Sequence, residues 1–277
     1  MRIDSHHHLW KYNPAEYDWI GPDMSFLRRD FLPDDLQRET HAAGIDGTVA
    51  VQARQSVEET AWLLDLAQDS ALIRGVVGWV PLISPTVEAT LESFAGRPKL
   101  KGVRHVLQGE PDERYMLRED FNAGVRALHR FGLVYDILIH ARHLPFAAEM
   151  VDRHPGQIFV LDHAAKPRIK ENLLEPWARD IRELAKRPNV FCKLSGLVTE
   201  ADWAGWSEAQ LRPYVHTVLE AFGPGRVMFG SDWPVCLVAC PYKSWVETTR
   251  QLTAELSDDE RRQLFGDTAA AAYGLRG

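Results

Sequence analysis

Short apolar runs rich in β-branched residues recur along the chain, and longer amphipathic segments separate them. Eight of these runs have the length and composition of buried strands. They cover residues 2–8, 45–51, 73–80, 100–106, 133–139, 158–163, 190–195 and 227–232. In the segments between them apolar residues return every three or four positions, which predicts helices. This alternation favours parallel strands joined by helices.

Helix signals are clearest where a capping residue precedes the apolar pattern. Ser56, followed by Glu59 three positions later, predicts the start of one helix. Further helices are predicted over 119–131, 144–153, 176–186, 208–222 and 244–255, with a closing helix within 256–275. Eight strand–helix units predict an α/β fold, a single (β/α)8 TIM barrel over residues 1–277. The first strand is not followed by G-x-G-x-x-G, which counts against an open dinucleotide-binding sheet.

Composition narrows the classes of partner. The net charge of -7 and the pI near 5.9 indicate no basic surface for nucleic acid. The chain has neither an apolar run of about 18 residues nor a charged and apolar leader, so neither a membrane span nor secretion is expected. Three cysteines in an acidic chain suit a reducing compartment. We therefore expect a cytoplasmic protein; the sequence gives no indication of its oligomeric state.

The carboxyl ends of the predicted strands carry the candidate chemistry, because barrel enzymes place their sites there. His6 and His8 lie on one face of the first strand, since strand side chains alternate. Asp232 ends the eighth strand, which lies beside the first in a closed barrel, and His163 ends the sixth. Three imidazoles and one carboxylate match a mononuclear divalent metal site with one position open for water.

Five motifs, spread over the whole barrel, carry a resemblance to a known superfamily. They are Asp4-Ser5-His6-His7-His8-Leu9-Trp10, Lys101-Gly102-Val103-Arg104-His105, Val160-Leu161-Asp162-His163-Ala164-Ala165-Lys166-Pro167, Lys193-Leu194-Ser195-Gly196-Leu197 and Phe229-Gly230-Ser231-Asp232-Trp233-Pro234. In this order they resemble the amidohydrolase superfamily, and most closely its sugar-lactonase branch, whose members open L-fuconolactone and L-rhamnonolactone. The resemblance implies a hydrolase that opens a small sugar lactone to the sugar acid.

The resemblance also bears on the metal. Binuclear members of the superfamily bridge two ions with a carboxylated lysine at the end of the fourth strand, where this chain has Arg104 and His105. No binuclear centre is therefore expected. One divalent ion, with zinc first, would be held by His6, His8, His163 and Asp232. Whether turnover requires it stays open, because some lactonases of this branch are thought to work without a metal.

Lactone hydrolysis needs an activated water, a group that stabilises the oxyanion and a proton for the leaving alkoxide. We assign Asp232 as general base and then acid, with His163 and Arg104 as the other catalytic candidates. Arg104 could instead form a structural ion pair. The candidate substrate contacts are Gln52, Lys193, His140, Trp10 and Trp233. For the tryptophans the alternative is core packing.

Three alternatives stay open at this point. A metal-dependent decarboxylase or a dicarboxylate-lactone hydrolase could use the same barrel and ligands. A dicarboxylate would need several arginines, whereas only Arg104 is placed at the mouth with certainty, so a neutral polyhydroxy lactone is favoured. A catalytically inactive binding protein is the third alternative, but it would have no need of a buried base beside two imidazoles.

Overall fold

Eight parallel strands hydrogen-bond in the order in which the chain makes them. They are β1 (Ile3–His7), β2 (Gly47–Val51), β3 (Ile73–Gly78), β4 (Leu100–His105), β5 (Val134–Ile137), β6 (Phe159–Leu161), β7 (Val190–Leu194) and β8 (Val227–Phe229). The computed structural model describes residues 1–275, so residues 276 and 277 of the predicted domain lie outside the described residues. Each predicted run contains one of the eight strands.

The barrel closes where the chain after β8 meets β1. The backbone N–H of Asp232 donates to the carbonyl oxygen of His6 over 2.8 Å, and His8 donates to the carbonyl of Trp233 over 2.6 Å. These bonds continue the sheet across the seam and confirm the (β/α)8 barrel. They also bring the two candidate ligand segments side by side.

Helices cover the outside of the barrel. They are α1 (Pro33–Ala43), α2 (Val57–Asp69), α3 (Val87–Ser93), α4 (Glu119–Arg130), α5 (Leu144–Asp152), α6 (Trp177–Ala185), α7 (Glu208–Phe222), α8 (Tyr242–Leu252), α9 (Asp258–Arg262) and α10 (Thr268–Ala272). The apolar periodicity does not reveal α1 or α3. The predicted closing helix consists of α9 and α10 with a π-helical turn between them. Within residues 1–275, every helix is too short or too polar to span a membrane.

The barrel floor is sealed by the C-terminal segment. Inward-facing apolar side chains of the strands form a small cluster with Ala269, Ala272 and Tyr273. A Cβ added to Gly266 would lie 2.0 Å from the carbonyl oxygen of Met1, so the segment packs directly against the start of the chain. The floor is thus built for stability, and the site lies at the opposite mouth.

Candidate active site

The end of β1 supplies two imidazoles to the mouth and one to the outside. Nε2 of His6 lies 3.2 Å from Nε2 of His8, and both rings are buried. His7 points to the other face, where its Nε2 lies 3.0 Å from the hydroxyl of Thr48. The alternation of a strand therefore gives the predicted placement of all three histidines.

Asp232 reaches the two imidazoles across the seam. Its Oδ1 lies 3.4 Å from Nε2 of His8 and 3.8 Å from Nε2 of His6. The buried carboxylate of Asp4 sets this spacing, because Oδ1 accepts hydrogen bonds from the backbone N–H of His6 and of Ser231, over 3.1 and 2.8 Å. Burial raises the pKa of Asp4 to about 6. Our prediction omitted Asp4, although an acid in the middle of a buried strand is a usable signal.

His163 enters the site on an unusual turn. Residues 163–166 all have positive φ, between 47° and 60°, which forms one turn of left-handed backbone without glycine. Nδ1 of His163 lies 2.8 Å from the hydroxyl of Ser195, and its Nε2 lies 3.9 Å from Oδ1 of Asp232. Gly196 (φ 65°) passes so close to this ring that a Cβ would lie 2.6 Å from Nδ1. Left-handed backbone persists where the surrounding contacts determine it.

His6, His8, His163 and Asp232 form what we call the imidazole cluster. Its atoms have the spacing of a metal site, since ligand atoms about 2.0–2.1 Å from a tetrahedral ion are about 3.3 Å apart. His8 directs Nδ1 to the carbonyl oxygen of Val51, 2.8 Å away, and so turns Nε2 inward. Among the described residues, His6, His8 and Asp232 present ligand atoms within 4.8 Å of one another and fit one divalent ion. His6 and His163 form a second such group with Asp162.

Charge in the cluster suits a cation. Burial lowers the pKa of His163 to about 4 and that of His6 well below its ordinary value, so both rings are neutral near pH 7. Burial acts to raise the pKa of Asp232, but His163 and the hydrogen bond from His8 outweigh it, and the pKa is lowered. Neutral imidazoles and one carboxylate are the forms that bind metal ions.

Beneath the imidazole cluster lies a charge layer, which we define as Arg104, Asp136, Asp162 and Lys193. All four are buried. Nη1 of Arg104 lies 3.0 Å from Asp162, and Nζ of Lys193 lies 2.6 Å from Asp136 and 3.0 Å from Asp162. The hydroxyl of Tyr273 donates to Asp136 over 2.8 Å, so the layer extends to the floor. The positive charges of Arg104 and Lys193 thus balance the negative charges of Asp136 and Asp162.

Arg104 takes part in both groups. It donates to Oε1 of Gln52 through Nη2 and forms the ion pair with Asp162, which is the structural alternative raised from the sequence. Its Nη1 also lies 3.4 Å from Nε2 of His6. The guanidinium is therefore fixed in place and still reaches the edge of the site.

Three of the predicted substrate contacts are buried in the structure. Trp10 and Trp233 are 0% and 2% exposed, and both pack against Phe31, the arrangement expected for the core-packing alternative. Lys193 is 0% exposed and points into the charge layer. Burying a large aromatic ring under the N-terminal loop removes more apolar surface from water than leaving it at the mouth would. A buried ammonium group such as that of Lys193 has to be paired with carboxylates, and these lie beneath it.

Two predicted contacts remain at the mouth, with two residues that our prediction omitted. The Nε2 donor of Gln52 is buried and has no hydrogen-bond partner among residues 1–275, which leaves it for a ligand. His140 is half-buried, and burial lowers its pKa to about 4. Lys166 pairs with Glu200 over 3.7 Å, and its charge acts on both His163 and Asp232. The left-handed turn that places Lys166 has no sequence signal.

Comparison with known proteins agrees with this geometry. The amidohydrolase family model matches residues 3–275. An L-fucono-1,5-lactonase from Burkholderia multivorans is 46% identical over 288 residues, which cover 99% of this chain and 96% of that protein. An L-fucono-1,5-lactonase from Burkholderia ambifaria is 37% identical over 279 residues, with 99% and 95% coverage.

A solved structure extends the likeness to the whole chain. The crystal structure of an amidohydrolase from Burkholderia multivorans with bound zinc matches with a TM-score of 0.97 and 44% identity, and the match covers 100% of both chains. The motifs, the closed barrel and the cluster at its mouth agree with the family match over nearly every residue. The chain belongs to the amidohydrolase family.

Proposed function

We propose that this protein hydrolyses a sugar lactone to the sugar acid, with L-fucono-1,5-lactone as the first substrate to test. The observation that carries the proposal is the convergence of a buried carboxylate, Asp232, with three buried imidazoles at the barrel mouth. The names of the two Burkholderia relatives support the choice of lactone. A lactone is a cyclic ester, so the reaction opens it with one water.

Asp232 performs the proton transfers in this proposal. Its pKa is lowered, so the carboxylate is ionised near neutral pH and accepts a proton from the attacking water. The oxygen of that water bonds to the lactone carbonyl carbon, and the bond from this carbon to the ring oxygen then breaks. Asp232 returns the proton to the departing ring oxygen, which becomes the hydroxyl of the sugar acid.

Donors at the mouth stabilise the developing oxyanion. Nη1 of Arg104 and the free Nε2 of Gln52 are fixed by the contacts described above and require little reorganisation. His6, His8, His163 and Asp232 would hold a divalent ion, with zinc as our first choice. When bound, that ion polarises the carbonyl and the water. We propose one such ion and leave its necessity to experiment.

The charges at the mouth favour a neutral substrate. The other arginines near it are already paired with acids: Arg54 with Glu16 over 2.6 Å, Arg142 with Glu113 over 2.8 Å, and Arg168 with Glu171 over 3.2 Å. A dicarboxylate lactone would have to displace these acids. The partly buried pair of Lys166 and Glu200 instead offers a donor and an acceptor to sugar hydroxyls.

The test is a panel of 1,4- and 1,5-aldonolactones, with proton release followed above the spontaneous rate. Metal content is assayed in parallel, before and after chelation. We expect turnover of L-fucono-1,5-lactone. Loss on chelation and recovery with zinc would show that the ion is required, whereas activity in metal-free protein would show that the side chains suffice. Inactivity on the whole panel with metal present would refute the proposal and favour a decarboxylase.

A further inference from the structure

Glu59 is a buried carboxylate close to the site that the proposed mechanism does not use. It lies in the first turn of α2 and is 1% exposed. Ser56 caps this helix, because its hydroxyl accepts from the backbone N–H of Glu59 over 3.2 Å. In a capping box the carboxylate would return to the backbone N–H of Ser56. Here Oε2 instead accepts from the backbone N–H groups of Ala53 and Arg54, over 3.0 and 2.8 Å, directly after Gln52.

One of these two bonds links Glu59 to Arg104 through a single peptide group. The carbonyl of Gln52 and the N–H of Ala53 belong to that group and point in opposite directions. The N–H donates to Glu59, and the carbonyl oxygen accepts from Nη2 of Arg104 over 2.5 Å. The peptide dipole therefore lies between an anion and a cation, with its positive end toward the carboxylate and its negative end toward the guanidinium.

The same peptide group determines where two donors at the mouth lie. Nη2 of Arg104 also donates to Oε1 of Gln52 over 2.7 Å, so the backbone and the side chain of Gln52 both hold the guanidinium. Nη1 of Arg104 and Nε2 of Gln52 are the donors that we assign to the oxyanion. Rotation of the peptide group away from Arg104 would displace both donors.

The charge of Glu59 is costly to bury and has no close counter-ion in its own loop. Nε of Arg54 lies 3.8 Å from Oε1, whereas Arg54 pairs with Glu16 over 2.6 Å. Burial raises the pKa of Glu59 to about 7, although its hydrogen bonds and the charges of Arg54 and Arg104 act to lower it. A neutral amide oxygen could accept the same two hydrogen bonds without that cost. The carboxylate thus does more than close the loop, because its charge also orients the peptide that holds Arg104.

We propose that Glu59 is a positioning residue, which acts through the Gln52–Ala53 peptide group to hold Arg104 and Gln52 in the orientation that oxyanion stabilisation requires. It touches neither the imidazole cluster nor the substrate. The kinetic part of this inference rests on the proposed lactonase function. The structural part, that Glu59 restrains Arg104, needs no substrate and is tested separately.

The restraint is measured by NMR on protein labelled with ¹⁵N at arginine, at pH 8, where Glu59 is ionised. The Nε–H and Nη–H signals of Arg104 are identified by their loss in Arg104→Lys, which keeps a positive charge beside Asp162. Glu59→Gln should shift and broaden these signals, because the guanidinium loses its oriented acceptor. Glu58→Gln, an exposed neighbour that bonds only the Ser56 hydroxyl, is the control and should match wild type. Unchanged Arg104 signals in Glu59→Gln, or the same change in Glu58→Gln, would overturn the inference.

Lactone kinetics show whether the restraint serves the reaction. Glu59→Gln should lower kcat about tenfold and change KM less than about twofold, because the displaced donors act mainly in the transition state. In Arg104→Lys, which lacks the Nη2 donor, Glu59→Gln should cause no further loss. An unchanged kcat in the single variant, or an equal further loss in the double variant, would overturn the inference.

The two experiments separate this inference from the proposed function. If wild type turns over no lactone, the lactonase proposal fails, whereas the NMR signals still show whether Glu59 restrains Arg104. If Glu59→Gln does not fold, Glu59→Asp replaces it. That side chain keeps the charge but is one methylene too short to hold the peptide group, so the same change in the Arg104 signals is expected. Signals like those of wild type would overturn the inference.

Discussion

The imidazole cluster and the charge layer lie in contact, yet they are built on opposite rules. The cluster consists of buried imidazoles around one carboxylate, with atoms 3.2 to 3.9 Å apart. The layer consists of fixed charges paired at 2.6 to 3.0 Å. The cluster presents nitrogen lone pairs to the mouth, whereas each carboxylate of the layer is paired with a buried cation. We therefore assign the reaction steps to side chains of the cluster, and to the charge layer the role of holding those side chains in position.

A buried charge can support a site without touching the substrate. Removing one member of a buried ion pair leaves the other uncompensated, which is strongly destabilising. Removing a base from the cluster is expected to reduce activity more than stability. Substitutions in the two groups should therefore separate activity from stability.

The largest effect on activity is expected for Asp232→Asn. The amide cannot accept the proton of water, and general-base catalysis contributes about 10²- to 10⁴-fold, so kcat/KM should fall by about 10³. Lactone kinetics and thermal melting measure the two effects. Asp65→Asn, on exposed α2, is the control and should behave as wild type. An Asp232→Asn variant with normal kcat/KM would place the base elsewhere.

The largest effect on stability is expected for Asp136→Asn in the charge layer. It leaves the buried Lys193 with one carboxylate fewer, and breaking a buried pair costs about 3–5 kcal/mol. The measurement is the free energy of unfolding in urea. Asp120→Asn breaks an exposed pair with Arg118 and should have a much smaller effect on the free energy of unfolding. Equal costs for the two variants would show that the layer is not a stabilising unit.

A glycine pair tests how tightly His163 is held. Gly196→Ala and Gly132→Ala both place alanine at positive φ, 65° and 66°, and each should cost about 1–2 kcal/mol in backbone strain. Only Gly196→Ala also drives a Cβ against His163, since the space around Gly132 is open. We expect lost lactonase activity in Gly196→Ala alone, measured beside unfolding free energies. Similar activity in both would mean that His163 can move freely.

The smallest expected effect is on the pH dependence of stability. It comes from a buried histidine that lies outside the active site. Burial lowers the pKa of His154 to about 4, and its Nε2 lies 2.7 Å from Oδ1 of Asn122. The unfolded chain binds this proton near the ordinary value of 6.5, so the stability from His154 is present above pH 6.5 and lost as the pH falls toward 4.

His154→Gln should therefore flatten the fall in unfolding free energy between pH 7 and pH 5 by about 1 kcal/mol. Denaturant titrations at several pH values measure it. The lactonase activity at pH 7 should be unchanged, because His154 lies between α5 and β6, away from the mouth. A steeper profile in the variant would contradict the assigned direction of the pKa shift.

Much of the barrel could be predicted because its signals are local. Each strand is a short apolar run, and strand alternation alone separates His7 from His6 and His8. Closure then brings Asp232 to β1. The apolar periodicity did not predict helix α1, although Pro33 at its start and Gly44 (φ 68°) at its end are usable signals.

The charge layer could not be predicted, because it depends on which strand interiors face each other. In the sequence Lys193 looks like one more polar residue at a strand end. Only the structure shows that its side chain points to Asp136. The left-handed turn at 163–166 likewise depends on tertiary packing, since none of its residues is glycine. The burial of Trp10 depends on the loop that follows it, and the sequence of that loop has no apolar periodicity from which its path could be predicted.

In the proposed mechanism Asp232 acts on water and does not itself attack the lactone. A single turnover in ¹⁸O-labelled water, with enzyme in excess over L-fucono-1,5-lactone, tests it by mass spectrometry of the product and of the peptide that contains Asp232. We expect one labelled oxygen in the product carboxylate and none in Asp232. Unlabelled product together with labelled Asp232 would show a covalent acyl-enzyme and refute the general-base role.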